Sequence, residues 1–320
     1  MADFQSSCPK CQAMFTASDN QIGKRYICTQ CGQECIIPSR RIRAGMQFGN
    51  YHVLHPLGLG ASGEVHLAKD SQGNLAAIKI LCLNDNSDLE VDLKRFQREA
   101  QFIHSLNHPG LINVYEMGTA HDYNYIAMEY VRGETVDDYL EKFGPFEQLD
   151  ALKIVREVAL TLKYVWDEHR IVHRDIKPAN IMISYDGQVK VMDLGIAKSY
   201  LMDFTQLTDP DTIIGSPPYM SPEQCSPSKP IDFRSDMYSL GCTLYQMLTD
   251  EYAFFADSPM ATVRMHILER PTDPREFNPN LDEEVVDFIM RKLLARLARQ
   301  RPGSWREVIK TLDALIDRLS

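Results

Sequence analysis

No stretch of this 320-residue chain approaches the ~18 consecutive apolar residues of a membrane-spanning helix, so no spanning helix and no membrane partner are expected. Its first residues lack both a charged start leading into an apolar core and a small-residue cleavage site, and a cytoplasmic location is expected. Positive charge is in deficit as well. With 34 Lys and Arg against 44 Asp and Glu, the net charge of −10 argues against a nucleic-acid surface along the whole chain. The deficit is uneven: residues 1–45 hold six basic and three acidic side chains, a surplus of +3 that leaves −13 for the remainder. Without a secretion signal, the eight cysteines are poor candidates for disulfides. What the chain has in quantity is apolar surface, 44% of its residues, enough for a large core in about two domains.

Four of the cysteines are spaced for another use. Cys8-x-x-Cys11 and Cys28-x-x-Cys31 are two knuckles separated by 16 residues, the spacing of a four-thiolate zinc site. Each knuckle can aim two sulfurs at one ion, and Phe15, Tyr26 and Ile27 offer a minimal apolar cover. So small a segment has too little core to fold alone, and zinc would supply its folding free energy. Redox-active pairs are the alternative, disfavoured because no thioredoxin-like βαβ pattern surrounds them. Four thiolates would leave no open position for catalysis, so a structural Zn²⁺ is expected. The segment resembles the short zinc ribbons at the head of some bacterial proteins, which bind protein, bind nucleic acid or merely cap a domain. Cys35 fits the spacing less well, and Cys82, Cys225 and Cys242 read as small, buried or half-buried thiols. The run Arg40-Arg41-Ile42-Arg43, between Pro38 and Gly45, reads as a linker.

The densest chemistry lies between His173 and Gly195. His173-Arg174-Asp175-Ile176-Lys177-Pro178-Ala179-Asn180 is followed by two short strand-like runs around Asp186-Gly187, and then by Asp193-Leu194-Gly195. A hairpin here can gather two carboxylates, a carboxamide, an ammonium and a guanidinium, the equipment for handling metal-bound phosphate. The stretch resembles the catalytic loop and metal-binding segment of protein kinases, with Leu194 where the family has Phe. That resemblance implies Asp175 as catalytic base, Asn180 and Asp193 as Mg²⁺ (or Mn²⁺) ligands, and Lys177 steadying the γ-phosphate. Lys177-Pro178 matches the serine/threonine class.

Upstream, residues 51–69 read as strand, glycine-rich turn and strand around Gly58-x-Gly60-x-x-Gly63. That pattern alone is weak, because dinucleotide folds share it and follow it with a helix. Here Val65 to Ala68 looks like a strand, and Ala77-Ile78-Lys79 follows on a third. By the resemblance, the glycines lie over the phosphates of ATP and Lys79 holds the α- and β-phosphates. Val65 and Ala77 cover the adenine, Met128 is the gatekeeper, and the backbone of Glu129 and Val131 meets the adenine edge. Leu57, Ser62 and Met182 complete the implied ATP-binding set. Residues 88–106 carry a helical apolar pattern, on which Glu99 would pair with Lys79.

After Gly195 come about 20 residues without clear periodicity, a length that suggests function or disorder in a compact domain. The resemblance implies an activation loop, closed by Gly215-Ser216 and Ser221-Pro222-Glu223. Ser216 would bond Asp175 and Lys177, Glu223 would pair with Arg301, and Asp236 would hold the catalytic-loop backbone. Thr212, then Thr208, is the expected phosphorylation site, with Arg174, Lys198 and Arg95 pairing the phosphate. The expected architecture is α+β: a zinc ribbon at 1–37, a linker at 38–47, and a two-lobed protein kinase fold at 48–320. Its small antiparallel-sheet lobe would span about 48–131 and its helical lobe about 132–320. The function implied is ATP-dependent phosphorylation of serine or threonine hydroxyls on protein substrates. A catalytically silent pseudokinase scaffold is one alternative, and a ribbon-led nucleic-acid-binding protein with a regulatory kinase domain is another.

Overall fold

The computed structural model describes residues 3–8, 10–11, 13–18, 21–22, 24–37, 42–60, 63–81, 106–121, 123–194, 216–226 and 230–320. The chain divides into two compact units, one of residues 1–105 and 113–130 and one of residues 106–112 and 131–320.

The first unit opens with two small antiparallel hairpins, β1 (Asp3–Ser7) with β2 (Met14–Ser18) and β3 (Arg25–Ile27) with β4 (Glu34–Ile36). One cysteine knuckle occupies each turn. A six-stranded antiparallel sheet follows, built from β5 (Gln47–Phe48), β6 (Tyr51–Gly60), β7 (Gly63–Lys69), β8 (Leu75–Leu81), β9 (Val114–Ala120) and β10 (Tyr123–Glu129) in the order β5-β6-β7-β8-β10-β9. The β7–β8 turn is set by Asp70, whose carboxylate accepts from the N–H groups of Gln72 (2.8 Å) and Asn74 (2.9 Å), while Gly73 takes the left-handed conformation (φ 88°) that a side chain disfavours. Alternation then sorts the strands: Ala68, Ile78, Ile80, Tyr125 and Ala127 join Phe48 and Val53 in one core. Ile42 is buried in that same core, so the stretch read as a linker also contributes packing.

In the second unit, β11 (Gly133–Thr135) leads into α1 (Val136–Phe143) through a capping box, in which the Thr135 hydroxyl accepts from the Asp138 N–H (3.0 Å) and the Asp138 carboxylate from the Thr135 N–H (3.2 Å). α2 (Gln148–His169) buries Leu152, Val155, Val158, Ala159, Leu162 and Val165, the one-sided spacing of an amphipathic helix. β12 (Ile181–Ser184) and β13 (Val189–Val191) complete a three-stranded antiparallel sheet with β11. α3 (Arg234–Thr249) is buried around its whole circumference and is the axis of the unit. There Gly241 admits close approach: a Cβ on it would meet the Leu293 Cβ at 2.7 Å. α4 (Pro259–Leu268), α5 (Glu283–Asp287) with the π-helical turn Phe288–Leu293, and α6 (Trp305–Leu319) surround it. α6 turns Trp305, Val308, Leu312 and Leu315 inward, and its Asp313 pairs with Arg156 of α2. No helix among the described residues is long and apolar enough to cross a membrane.

Candidate active site

The loop between α2 and β12 is held from below by α3. Asp236, fully buried one turn into that helix, accepts from the backbone N–H of His173 through Oδ2 (2.7 Å) and of Arg174 through Oδ1 (2.8 Å). Burial pushes its carboxyl up to about 7, against the pull of those two N–H groups and of the Arg174 charge. Arg174 takes the left-handed conformation (φ 66°), which a non-glycine residue keeps only when its surroundings fix it. His173 closes the loop on itself. Its Nδ1 lies 3.3 Å from the Asp175 N–H and its Nε2 2.9 Å from the Met192 carbonyl; because the first partner can only donate and the second only accept, the proton sits on Nε2.

Asp175 is buried at the centre of a polar cluster. Its Oδ1 accepts from the Ser216 hydroxyl (3.1 Å) and its Oδ2 from Asn180 Nδ2 (2.9 Å), with Lys177 Nζ at 3.3 Å. Lys177 also donates to Ser216 Oγ (2.7 Å), so the hydroxyl bridges ammonium and carboxylate. Asn180 Nδ2 donates a second bond to the Asp175 carbonyl (2.7 Å). Both its amide hydrogens being directed at Asp175, Oδ1 is left as the ligand-type atom. Asn180 O accepts from the Met192 N–H (2.9 Å), and with the His173 bond to Met192 O this fixes the residue preceding Asp193. Asp193 itself is exposed and left-handed (φ 51°).

Beyond Ser216, a short turn at Pro217–Tyr219 leads to Glu223. Arg301 meets that carboxylate with two prongs, Nη1 to Oε1 (2.5 Å) and Nη2 to Oε2 (3.0 Å), while the Ser235 hydroxyl donates to Oε1 (2.8 Å). The guanidinium also donates to the carbonyls of Ala295 (2.8 Å) and Arg234 (2.7 Å) and stacks 4.8 Å over the Tyr238 ring. Burial works to raise the Glu223 pKa, but Arg301 and Ser235 together bring it below its ordinary value.

In the first unit, register decides which residues meet. Val65 pairs with Lys79 across β7–β8, and Ala77 pairs with Leu67 on one side and Met128 of β10 on the other. Val65, Ala77, Lys79 and Met128 therefore share one sheet face, opposite the face that carries Ala68, Ile78 and Ile80 into the core. Leu57 and Gly58 lie on β6, and Gly60 faces Gly63 at the hairpin end, where Gly63 has φ 138°. The Glu129 N–H is committed to the Asn113 carbonyl (2.8 Å), so a contact from its backbone to a ligand would use its carbonyl. Val131 and Met182 belong to the second unit, Met182 half-buried on β12 opposite Lys190. Ser62, Arg95, Glu99, Lys198, Thr208 and Thr212 lie outside the described residues.

Residues 51–312 match the protein kinase domain family. The chain belongs to the protein kinase family. Its kinase domain is of the bacterial serine/threonine type: the serine/threonine-protein kinase PknB of Mycolicibacterium smegmatis is 40% identical over 251 residues, 77% of this chain and 40% of that protein. The PknB of Mycobacterium tuberculosis is 38% identical over 256 residues, 78% of this chain and 40% of that one. This chain thus aligns with well under half the length of these curated relatives. Among solved structures, the kinase domain of Mycobacterium tuberculosis PknI superposes with a TM-score of 0.66 at 26% identity, covering 85% of this chain and 98% of that one.

The cysteine head precedes the kinase match. Cys8 Sγ lies 3.7 Å from Cys31 Sγ and Cys11 Sγ 3.6 Å from Cys28 Sγ, and all four sulfurs fall within 4.8 Å of one another. A tetrahedral ion with metal–sulfur bonds of about 2.3 Å has edges of about 3.8 Å, so the four sulfurs are spaced for one. The knuckles are closed by the Cys8 N–H on Ala13 O (2.9 Å) and the Cys28 N–H on Gln33 O (2.8 Å), with Gly32 left-handed (φ 69°). A backbone hydrogen bond with Cys11 draws the Cys8 thiol down to about 6. Phe15 and Tyr26 stack at 4.2 Å beside the cluster.

Two kinase-domain residues escaped the reading of the sequence. Ser221 reads there only as part of the segment that closes the activation loop, and Gln224 is not singled out. In the fold they form a reciprocal pair: the Ser221 N–H and hydroxyl both donate to Gln224 Oε1 (3.0 Å each), and the Gln224 N–H donates to Ser221 Oγ (3.3 Å). The S-x-x-Q spacing of a capping box was the available signal.

Proposed function

We propose that this chain is an ATP-dependent protein kinase that transfers the γ-phosphate to serine or threonine hydroxyls of protein substrates. The observation that carries the reading is the Asp175 carboxylate, buried and oriented by Ser216, Asn180 and Lys177 on a loop anchored to Asp236. So held, Asp175 accepts the proton of an acceptor hydroxyl as its oxygen attacks phosphorus in line. Lys177, already within reach of Asp175 and Ser216, steadies the transferring group. Lys79, on one sheet face with Val65, Ala77 and Met128, holds the α- and β-phosphates while those apolar neighbours cover the adenine.

Asn180 through Oδ1, and Asp193 through its carboxylate, supply hard oxygen donors that suit Mg²⁺ or Mn²⁺, which when bound would offset phosphate charge. Ser216, with Glu223 fixed by Arg301, forms the platform for the substrate segment. Glu99 pairing with Lys79, and a phosphate on Thr212 or Thr208 received by Arg174, Lys198 and Arg95, belong to the same reading as its regulation. Cys8, Cys11, Cys28 and Cys31 hold a structural Zn²⁺ in a ribbon at 1–37, joined through 38–47 to the kinase domain at 48–320, and the protein works in the cytoplasm. The ribbon's partner would be protein or nucleic acid.

The test is transfer from labelled ATP with Mg²⁺ to the protein itself and to a serine-containing basic acceptor, with Asp175→Asn in parallel. Label on serine or threonine that disappears in the variant is expected. Equal labelling of both proteins would remove Asp175 from the chemistry, and no labelling from folded, nucleotide-binding protein would favour the silent scaffold.

A further inference from the structure

Arg174, immediately before the proposed base, is left-handed, and the two ends of its strain are held by different elements. Its N–H is bound by Asp236 of α3. Its carbonyl, the one that begins the peptide bond to Asp175, accepts from Gln224 Nε2 at 3.0 Å. Gln224 lies fifty residues further along, on the segment that follows Ser216, and it is 4% exposed. Its amide can stand only one way round. Oε1 faces the Ser221 N–H, which can only donate, and Nε2 faces the Arg174 carbonyl, which can only accept. Ser221, fully buried, locks that orientation with its hydroxyl.

We propose that Gln224, oriented by Ser221, is a positioning residue for catalysis: a strut that fixes the Arg174–Asp175 peptide and ties the geometry of Asp175 to the segment bearing Ser216. The proposal rests on the kinase reading for its effect on turnover, but the strut itself is independent of it. With the strut gone, Arg174 can relax toward an ordinary backbone conformation and carry the Asp175 carboxylate away from the acceptor. Misplacement by about 1 Å can cost a reaction ~10²-fold.

The variants are Gln224→Ala and Gln224→Glu, made in the full chain. Gln224→Ala is expected to lower kcat at least about tenfold while the KM for ATP changes less than about twofold, because the Gln224 side chain bonds Ser221 and Arg174, neither of which is a proposed ATP residue. Gln224→Glu is the sharper probe. Ionised, its carboxylate faces the Arg174 carbonyl and repels it; protonated, it donates the missing hydrogen bond. Buried, such a carboxyl titrates above its ordinary range, so the ratio of variant to unsubstituted activity should rise as pH falls from about 8 to about 6. Asp236, whose carboxyl burial pushes up to about 7, titrates in the same window beside Arg174 and the Glu223–Arg301 pair, so the ratio for Gln224→Ala is the control: a rise in Gln224→Glu that Gln224→Ala lacks belongs to the introduced carboxyl.

A merely structural glutamine would lower stability without that pH-dependent recovery. Both variants turning over within twofold of the unsubstituted protein, or a flat ratio with pH, would overturn the strut. Amide hydrogen exchange across residues 171–176 gives a readout that needs no turnover. Faster exchange there in Gln224→Ala, with α6 unchanged, supports the strut, and identical exchange rejects it. Should the unsubstituted protein transfer no phosphate at all, the kinase reading fails while exchange still decides the role of Gln224.

Discussion

The catalytic loop and the cysteine head solve the same problem, holding several reactive groups in one place, by opposite means. Around Asp175 the chain uses bulk. The fully buried helix α3 supplies Asp236, and a core large enough to exclude water lets a left-handed Arg174 persist at a cost of about 1–3 kcal/mol. Around Cys8 there is almost no bulk: strands of three to five residues, one aromatic stack and a few buried side chains such as Ala17 and Ile37. What the head lacks in core a ligand would supply, and among its described residues four sulfurs within 4.8 Å of one another are the groups placed together to bind one. Strain is stored where packing is deep, and the proposed metal would act where it is shallow.

That contrast predicts unequal responses to a chelator. The apparent binding free energy of structural zinc is about 10–16 kcal/mol in isolated small modules, so stripping the ion should unfold the head entirely. The helical unit should keep its far-ultraviolet circular dichroism and its thermal transition. Metal analysis should give one zinc per chain, lost in Cys28→Ser. A helical unit that melted together with the head would break the comparison.

Next in size is the chemistry. Asp175→Asn removes the proposed base but preserves shape, and the carboxamide oxygen can still accept from Ser216. Turnover should fall about 10²- to 10⁴-fold, the range for a general base, with nucleotide affinity nearly unchanged and a stability cost of about 1–3 kcal/mol, because the new amide NH₂ faces the donors of Asn180 and Lys177. Initial rates and a thermal scan on the same preparations would check this. A larger loss of stability would mean that the buried carboxylate is chiefly structural.

The sequence was most legible where chemistry requires neighbours in the chain. His173 to Asp193 and the two C-x-x-C knuckles show themselves because one ion or one phosphate must be reached from a few adjacent residues. The strands around the glycine turn and the strand carrying Lys79 were legible from the sequence. Contacts between a side chain and a distant backbone were legible only where the family resemblance implied them, as for Asp236. Nothing about Gln224 announces that its amide ends on the Arg174 carbonyl, and Ser221 makes sense only beside Gln224. Ile42, set among arginines, reads as linker by composition, yet it is buried with Phe48 and Val53 because the chain re-enters the sheet there. Left-handed Arg174 likewise follows from tertiary hydrogen bonds, which local preference opposes.

The smallest effects concern the Glu223–Arg301 pair, the deep counterpart of the head's thiol cluster. Removing Arg301 leaves a buried carboxylate without its partner, and Arg301→Met should cost about 3–5 kcal/mol in denaturant unfolding. Its pH dependence has a definite sign. Glu223 is held below its ordinary 4.5 in the fold, so the native state binds its proton less readily than the unfolded chain does. The stabilisation is therefore complete above about pH 4.5 and is lost as pH falls toward the native value. In Glu223→Gln that single titration is gone, so stability plotted against pH should be flatter in this acid window by at most one proton, about 1.4 kcal/mol per pH unit. The remaining carboxylates titrate in both proteins and drop out of the difference. If the two curves ran parallel down to about pH 3, the pair would have to be as strong with Glu223 protonated as ionised. The two-pronged geometry would then reflect packing of the guanidinium against Tyr238 and the carbonyls of Arg234 and Ala295, with little charge attraction.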